Sequence, residues 1–425
     1  MSALSQFAAE QGIRYFLVAF TDLAGVLRAK LVPAGAISEA EEGGAGFAGF
    51  AACFDLSAAH PDIIARPDPS GTVRLPWKPE VAWVPADLYL DGEPFEQSPR
   101  NVLRRLVRGA GQRGLQLMTG VEPEFFLLSP DGADVADSAD RQSKPCYDQV
   151  TIMRNYEIIR TIFDAIETLG WEPYQCDHED GSGQYELNWK YSSSLQTADR
   201  HSFFKFMVRT IAERHGMRAT FMPKPFEELT GSGCHVHASA WREGRNIFLD
   251  PTDRLGLSDT CYEFIKLLLR YASPMALLTN PTVNSYKRLN ARSTTSGATW
   301  APTELNWGGN DRTKTVRVPA PGRVEYRLGD GSANPYLLQS ALLACLLELD
   351  DQAAHLPSED GSRQAQTLSF PRNLLDAIRA FERSDVLRKY CGGAFVEAYA
   401  KIKTAEWDCF HSHLSTWERT ALIDC

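Results

Sequence analysis

Phe221-Met-Pro-Lys-Pro-Phe-Glu-Glu-Leu-Thr-Gly-Ser-Gly-Cys-His-Val-His-Ala-Ser239 joins a glycine-bearing turn to a segment that carries two histidines. His235 and His237 stand two apart, and in a strand that spacing puts both imidazoles on one face. Gly231 and Gly233 let the backbone come close to a ligand, as a phosphate-binding loop must. Alone, such a loop is a turn and such a histidine pair is structural. The stretch acquires chemical meaning from partners elsewhere in the chain.

Three other strings supply them. In Val121-Glu-Pro-Glu-Phe-Phe126, Glu122 and Glu124 share one strand face, and the apolar residues that follow mark a buried strand. Like charges that close repel unless a cation lies between them, which points to a metal site over a charged edge. In His178-Glu-Asp-Gly-Ser-Gly-Gln-Tyr-Glu-Leu187, Glu179 and Glu186 flank a glycine-rich turn that can return them to one locus. In Gly322-Arg-Val-Glu-Tyr-Arg-Leu328, Arg323, Glu325 and Arg327 share a strand face. An ion-pair ladder reads that way, and so does a metal beside a polyanion. Five glutamates and a histidine suit two hard divalent cations, magnesium or manganese, better than zinc. Arg288, Arg312 and Arg317 add positive charge, and arginines beside a two-metal site imply phosphoryl transfer from a nucleotide.

Composition sets the frame. A chain of 425 residues, 44% hydrophobic and 23% charged, is globular and predicts two or three domains. A net charge of −10 argues against a nucleic-acid surface. No run reaches membrane-spanning length, and the N-terminus lacks the basic and apolar regions of a signal peptide. Nine cysteines without CxxC pairing read as free thiols in a reducing cytoplasm.

Alternation over residues 13–20, a turn, and residues 26–32 predict a hairpin. Residues 41–49 read as a mobile loop or helix start, residues 61–79 as extended connection, and 81–84 and 87–90 as short strands. Ser98-Pro99 opens a helix through residue 113. The expected organisation is α+β, with a small, mainly β domain over 1–98 and a larger one over 99–425. In the larger domain, strands are expected at 117–128, after the turn at 181, and on both sides of residues 319–323. Helices are expected at 153–169, 201–216, 262–278 (kinked near Pro274) and over most of the chain from residue 334.

Together these strings resemble the glutamine synthetase family. The matching motifs are Glu122-Pro-Glu-Phe-Phe126, His178-Glu with Gly183-Gln-Tyr-Glu186, Phe221-Met-Pro-Lys-Pro225 with Gly231-Ser-Gly-Cys-His235, Asn284-Ser-Tyr-Lys-Arg-Leu289, and Val324-Glu-Tyr-Arg327 leading to Ala333-Asn-Pro-Tyr336. They follow in order over nearly the whole chain. The resemblance implies a β-grasp-like N-terminal domain and a catalytic domain with a curved antiparallel sheet and helices. It implies a double-ring homo-oligomer, a dodecamer, with each site between neighbouring N-terminal and catalytic domains. Carried over by motif, Glu124, Glu179 and Glu186 resemble ligands of a first metal, and Glu122, His235 and Glu325 those of a second beside the ATP phosphates. Two or three magnesium or manganese ions per site are implied. Arg288 and Arg327 would hold glutamate, with Thr230 and Gly231 on the substrate side. Arg312 would neutralise the transferred phosphoryl group, while His237, Ser239, Arg317 and Arg323 would face the nucleotide. The implied reaction phosphorylates the γ-carboxylate of L-glutamate with ATP, and an amine then displaces phosphate.

The departures from the family pattern concern the amine. The loop that carries an acidic Asp-Gly-Ser-Ser in glutamine synthetases reads Gly46-Phe-Ala-Gly-Phe-Ala-Ala52 here. The flap glutamate of a Glu-Ala-Pro motif is replaced in Trp300-Ala-Pro302, residues 294–299 are inserted, and Glu304 is the remaining flap acid. Thr230 stands where the family has Asn. An ammonium site rebuilt from apolar residues leads us to expect a small alkylamine, methylamine, with Trp300 beside it. Glu304, or Glu179 through water, would take the proton. The rivals are ammonia, a polyamine whose distal ammonium Glu304 or Asp311 could hold, and a non-catalytic structural relative.

Overall fold

The computed structural model describes residues 2–353 and 370–425; residues 355–360, where the sequence lacks a recognisable tyrosine-bearing adenylylation loop, lie outside them. The alternating residues near the start form β1 (Tyr15–Thr21), hairpinned to β2 (Leu27–Pro33) with Tyr15 opposite Pro33. Residues 41–49, left open between loop and helix, divide into the end of a helix (Ile37–Gly43) and β3 (Ala45–Phe47). The proline-rich connection contains β4 (Ile63–Pro67) and β5 (Val73–Arg74). The two short strands expected at 81–90 are one, β6 (Val81–Leu90), followed by β7 (Glu93–Pro94). Pro85 does not break β6 because the partners change there: residues 81–85 pair with β1 in parallel, and residues 86–89 pair with β4. The missing N–H falls at the handover. These strands make a seven-stranded sheet in the order β2-β1-β6-β4-β3, with β5 and β7 on β6.

A second sheet of ten strands carries the chemistry. Its strands are β8 (Leu115–Leu128), β9 (Pro173–His178), β10 (Gln184–Trp189), β11 (Ser192–Ser193), β12 (Arg218–Thr220), β13 (Cys234–Arg242), β14 (Arg245–Asn246), β15 (Trp307–Gly308), β16 (Val316–Ala320) and β17 (Arg323–Tyr326). The order is β15-β16-β17-β13-β8-β10-β9, antiparallel except for the edge pair β15–β16. On β8, Phe125 faces away from Glu122 and Glu124 and packs on Phe204 and Phe221, with ring centroids 6.2 and 5.6 Å away. Alternation thus gives one strand an aromatic floor and an acidic roof.

Helices cover that floor. The helix expected from residue 201 begins at Ser194 and runs to Arg214, with Asp199, His201 and Lys205 among its buried residues. Buried around most of its circumference, its first turns show no apolar stripe to read. The helix expected over 153–169 is two, Gln149–Arg154 and Tyr156–Thr168. The next breaks at Tyr271 (φ −98°, ψ 6°), between Asp259–Arg270 and Ala272–Thr279. Pro274 therefore sits in the first turn of the second piece, where its missing N–H costs nothing.

The helix Pro99–Gln112, capped by the Ser98 side chain, brings the two sheets together. Its Arg100, 1% exposed, donates to both carboxylate oxygens of Asp199 at 2.9 Å and to Asp68 at 2.8 Å, and also pairs with Asp87. Asp68 directly follows β4 and Asp87 lies in β6, both of the first sheet, and Asp199 belongs to the long helix of the second region.

Candidate active site

Strand register builds the site. Across the ten-stranded sheet, Asp177 is paired with Glu186, Glu186 with Glu124, Glu122 with His235, His237 with Glu325, and Glu325 with Arg317. Directly opposed residues have Cβ atoms about 4.5–5.5 Å apart. Five strands therefore deliver one continuous row of ligating groups to one face, and residues more than a hundred positions apart meet there.

Three sets of donor atoms lie within 4.8 Å of one another: Asp177, Glu179 and Glu186; Glu122, Glu186 and His235; and Glu122, His237 and Glu325. His235 Nδ1 is 3.5 Å from both Glu122 and Glu325, while its buried Nε2 has no hydrogen-bond partner among the described residues. Burial pushes the Glu179 and Glu186 carboxyls well above the usual carboxylate range, and the charges of Glu124 and Glu122 push the same way. Burial acts likewise on Glu122, but hydrogen bonds from His235 and His237 overcome it and hold that carboxyl well below the usual range. Buried carboxylates crowded at one locus, beside an imidazole nitrogen without a partner among the described residues, are the donor chemistry of hard divalent cations.

The grouping differs from the one expected by motif. Asp177, which sequence reasoning missed, joins Glu179 and Glu186. Glu124 is instead engaged by the protein: its Oε2 accepts from Gln184 Nε2 at 3.0 Å and from the Gly233 N–H at 2.8 Å. His237, expected to face the nucleotide, donates through Nε2 to Glu122 at 2.8 Å. Asp177 is one strand pitch (two residues) before Glu179, a spacing visible in the sequence once β9 is recognised.

A cavity of about 350 Å³ holds these groups together with Arg312, Arg317, Arg323, Arg327 and Trp300. Glu325, 1% exposed, is clamped between Arg317 Nη1 at 2.6 Å and Arg327 Nε at 3.1 Å. Arg327 also donates to the Arg312 carbonyl. A second cavity of about 600 Å³ adjoins the first, shares Glu122, His237 and Arg323 with it, and is lined further by Ser239 and Trp241.

Arg288 is 3% exposed; among the described residues its side chain makes one hydrogen bond, Nη1 to the Leu328 carbonyl at 3.1 Å, and its Nε has no partner. A Cβ on Gly233 would lie 2.8 Å from His235 Nε2, 2.9 Å from Arg288 Nη2 and 3.0 Å from Glu124 Oε1. One on Gly231 would lie 2.4 Å from the Pro223 carbonyl. The glycines thus serve the close approach of protein to protein, where the sequence suggested approach to a ligand. Thr230 lines neither cavity; its hydroxyl donates to the Asp180 and Ala298 carbonyls at 3.2 and 3.3 Å. Glu304 is exposed, accepts from Asn306 Nδ2 at 3.2 Å, and is not among the cavity's lining residues. Asp311 is tied to Thr313 and lies 3.5 Å from Lys314 Nζ.

Comparison with known proteins gives a consistent result. The profile of the family described as "Glutamine synthetase, catalytic domain" matches residues 96–422. The chain is 52% identical to a protein named glutamine synthetase from Rhizobium meliloti (strain 1021), covering 99% of each chain. It is 36% identical to a glutamate–methylamine ligase from Methyloversatilis universalis, covering 100% of this chain and 99% of that one. A solved structure described as "GmaS/ADP complex-Conformation 1" superimposes with a TM-score of 0.93 at 50% identity, covering 100% of both chains.

Proposed function

We propose, from the premise that this chain belongs to the glutamine synthetase family of glutamate–amine ligases, that its acceptor is a small alkylamine, with methylamine foremost. The observation that carries the reading is Trp300, a residue 43% exposed that lines the carboxylate cavity while Glu304 stands outside it. An apolar ring in place of an acid removes an acceptor for ammonium and adds contact for a methyl group. The similarity to the methylamine ligase and to the GmaS structures supports the same choice.

In this reading, Arg288 and Arg327 bind the carboxylates of L-glutamate. The buried Arg288 has spare donors for that purpose. ATP occupies the larger cavity beside Ser239, with Arg317 and Arg323 toward its phosphates, and Arg312 neutralises the phosphoryl group in flight. Two or three magnesium or manganese ions, held by Glu122, Glu179, Glu186, His235 and Glu325 with Asp177 or Glu124, supply charge neutralisation when bound. A γ-carboxylate oxygen attacks the γ-phosphorus and ADP leaves. The amine nitrogen then attacks the acyl carbon, the C–O bond breaks, and phosphate departs with the bonding pair. With Glu304 outside the cavity, Glu179 acting through water is the acceptor for the amine's proton. Assembly into a ring, in which residues 46–52 of one subunit complete a neighbour's site, belongs to the same proposal.

The reading with ammonia as acceptor is favoured by the name of the relative from Rhizobium meliloti. The polyamine reading loses support, because neither Glu304 nor Asp311 offers a free carboxylate to the cavity. Measured with saturating ATP and glutamate, kcat/KM for ammonia, methylamine, ethylamine and putrescine separates the three. Methylamine should lead ammonia by roughly 10–200-fold, the worth of one methyl contact. A lead for ammonia or putrescine would replace this assignment.

A further inference from the structure

The departures from the family pattern at residue 230 and over residues 294–300 are scattered in sequence, yet they meet on one residue. Asp180, 8% exposed, follows Glu179 directly on the turn between β9 and β10. Its Oδ2 accepts the indole N–H of Trp300 at 2.7 Å and also the Ser296 hydroxyl. Its backbone carbonyl accepts the Thr230 hydroxyl at 3.2 Å. Thr230 reaches on to the Ala298 carbonyl, which also takes the Thr294 hydroxyl at 2.6 Å. The inserted residues therefore form a folded turn that Ser296, with the adjoining Trp300, ties to the loop that carries Glu179.

The backbone gives an independent sign that this arrangement is held. Trp300 has φ of 55°, in the left-handed region that a bulky residue avoids. Such a conformation persists where the surroundings over-determine it. A nearly buried carboxylate that takes the indole N–H is such a surrounding, and the charge of the acceptor strengthens the bond.

We infer that Asp180 is a positioning residue, the latch that closes residues 294–300 onto the metal-bearing turn and fixes the Trp300 ring as a wall of the acceptor pocket. It sets how tightly the amine is held without touching it. The inference rests on the reading of the Trp300 side of the cavity as the acceptor site. It also links the two halves of the reaction: the turn that presents Glu179 to the metal is the turn that closes the flap.

The test compares the full-length enzyme with Asp180→Ala, Asp180→Asn, Trp300→Phe and the Asp180→Ala/Trp300→Phe double variant. Two readouts are used: hydrogen exchange of the amides of residues 294–300, and KM for amine, ATP and glutamate. Asp180→Ala should speed flap exchange about tenfold or more and raise the amine KM by a similar factor, with the other two KM values within about twofold. Asp180→Asn, whose amide oxygen still accepts the indole N–H, should recover most of the loss. The double variant should lose little more than Asp180→Ala alone, because that change already removes the contact that Trp300→Phe breaks. If wild type prefers ammonia while Asp180→Ala still opens the flap and weakens ammonia, the acceptor assignment falls and the latch stands. Unchanged flap exchange in Asp180→Ala overturns the latch, as does an equal rise in all three KM values or an additive double variant.

Discussion

His235 Nε2 shows how single atoms define this site: a buried nitrogen without a hydrogen-bond partner among the described residues, with the carboxylates of Glu122 and Glu325 within 3.5 Å of the other ring nitrogen. Arg288 presents the complementary case, a guanidinium with donors to spare, driven by burial toward a lower pKa. A planar fork matches a carboxylate and an ammonium cannot reproduce it. Arg288→Lys should raise the glutamate KM about tenfold or more while the ATP KM changes little, as initial-rate kinetics in each substrate would show. The reverse pattern would reassign the residue. At this scale the motif strings told much: the positions of Glu122, Glu179, Glu186, His235 and Glu325 all converge. Asp177 escaped because no motif marks it and only the register of β9 on β10 brings it in. The surroundings of Glu304 and Trp300 escaped because they depend on how an inserted flap folds, and nothing periodic in residues 294–304 records that.

At the scale of elements, β8 and β13 are the axis, with Glu122 opposite His235 and Gly233 at the head of β13. A one-residue slip would turn every ligand to the aromatic floor, so the alternation of Val121, Pro123 and Phe125 with the two glutamates fixes the register. The turn before β13 is equally constrained. Gly233→Ala should place its methyl against Arg288, His235 and Glu124. The expected cost is about 1–3 kcal/mol of stability, as for other overpacked sites, with a larger fractional loss of kcat/KM. Denaturant titration alongside kinetics would check this, and wild-type values for both would contradict the crowding. The sequence showed the β1–β2 hairpin and the β16–β17 pair well, because alternation and turn residues are local. It misjudged β6, where a change of partners shelters Pro85, and the start of the helix Ser194–Arg214, whose buried polar residues hide its face.

Over the whole molecule, the Arg100 cluster decides how the first sheet and the catalytic region hold together. Arg104 would still pair with Asp68 and Asp87, but Asp199 would lose its cation in a buried setting, so Arg100→Met should cost about 3–5 kcal/mol. Burial pushes the Asp68 carboxyl up, but Arg100 outweighs it and brings the group from 3.8 down to about 2. A depressed folded pKa contributes stability that is fully present above about 4 and is lost as pH falls toward about 2. If another carboxylate carries the effect, acid unfolding followed by circular dichroism should show Asp68→Asn losing stability between pH 4 and pH 2 as steeply as the wild type. If Asp68 is the source, the variant should be less stable at pH 7 and show a shallower loss between pH 4 and pH 2. The α+β class and the two-sheet plan were legible from element order, whereas this junction was not, since its four residues share no motif. The central claim concerns which amine the whole enzyme consumes, and one competition experiment tests it most directly. Equimolar methylamine and ammonia are supplied with ATP, glutamate and magnesium, and the two products are counted by mass. The account predicts γ-glutamylmethylamide over glutamine by at least about tenfold; glutamine in excess would contradict it.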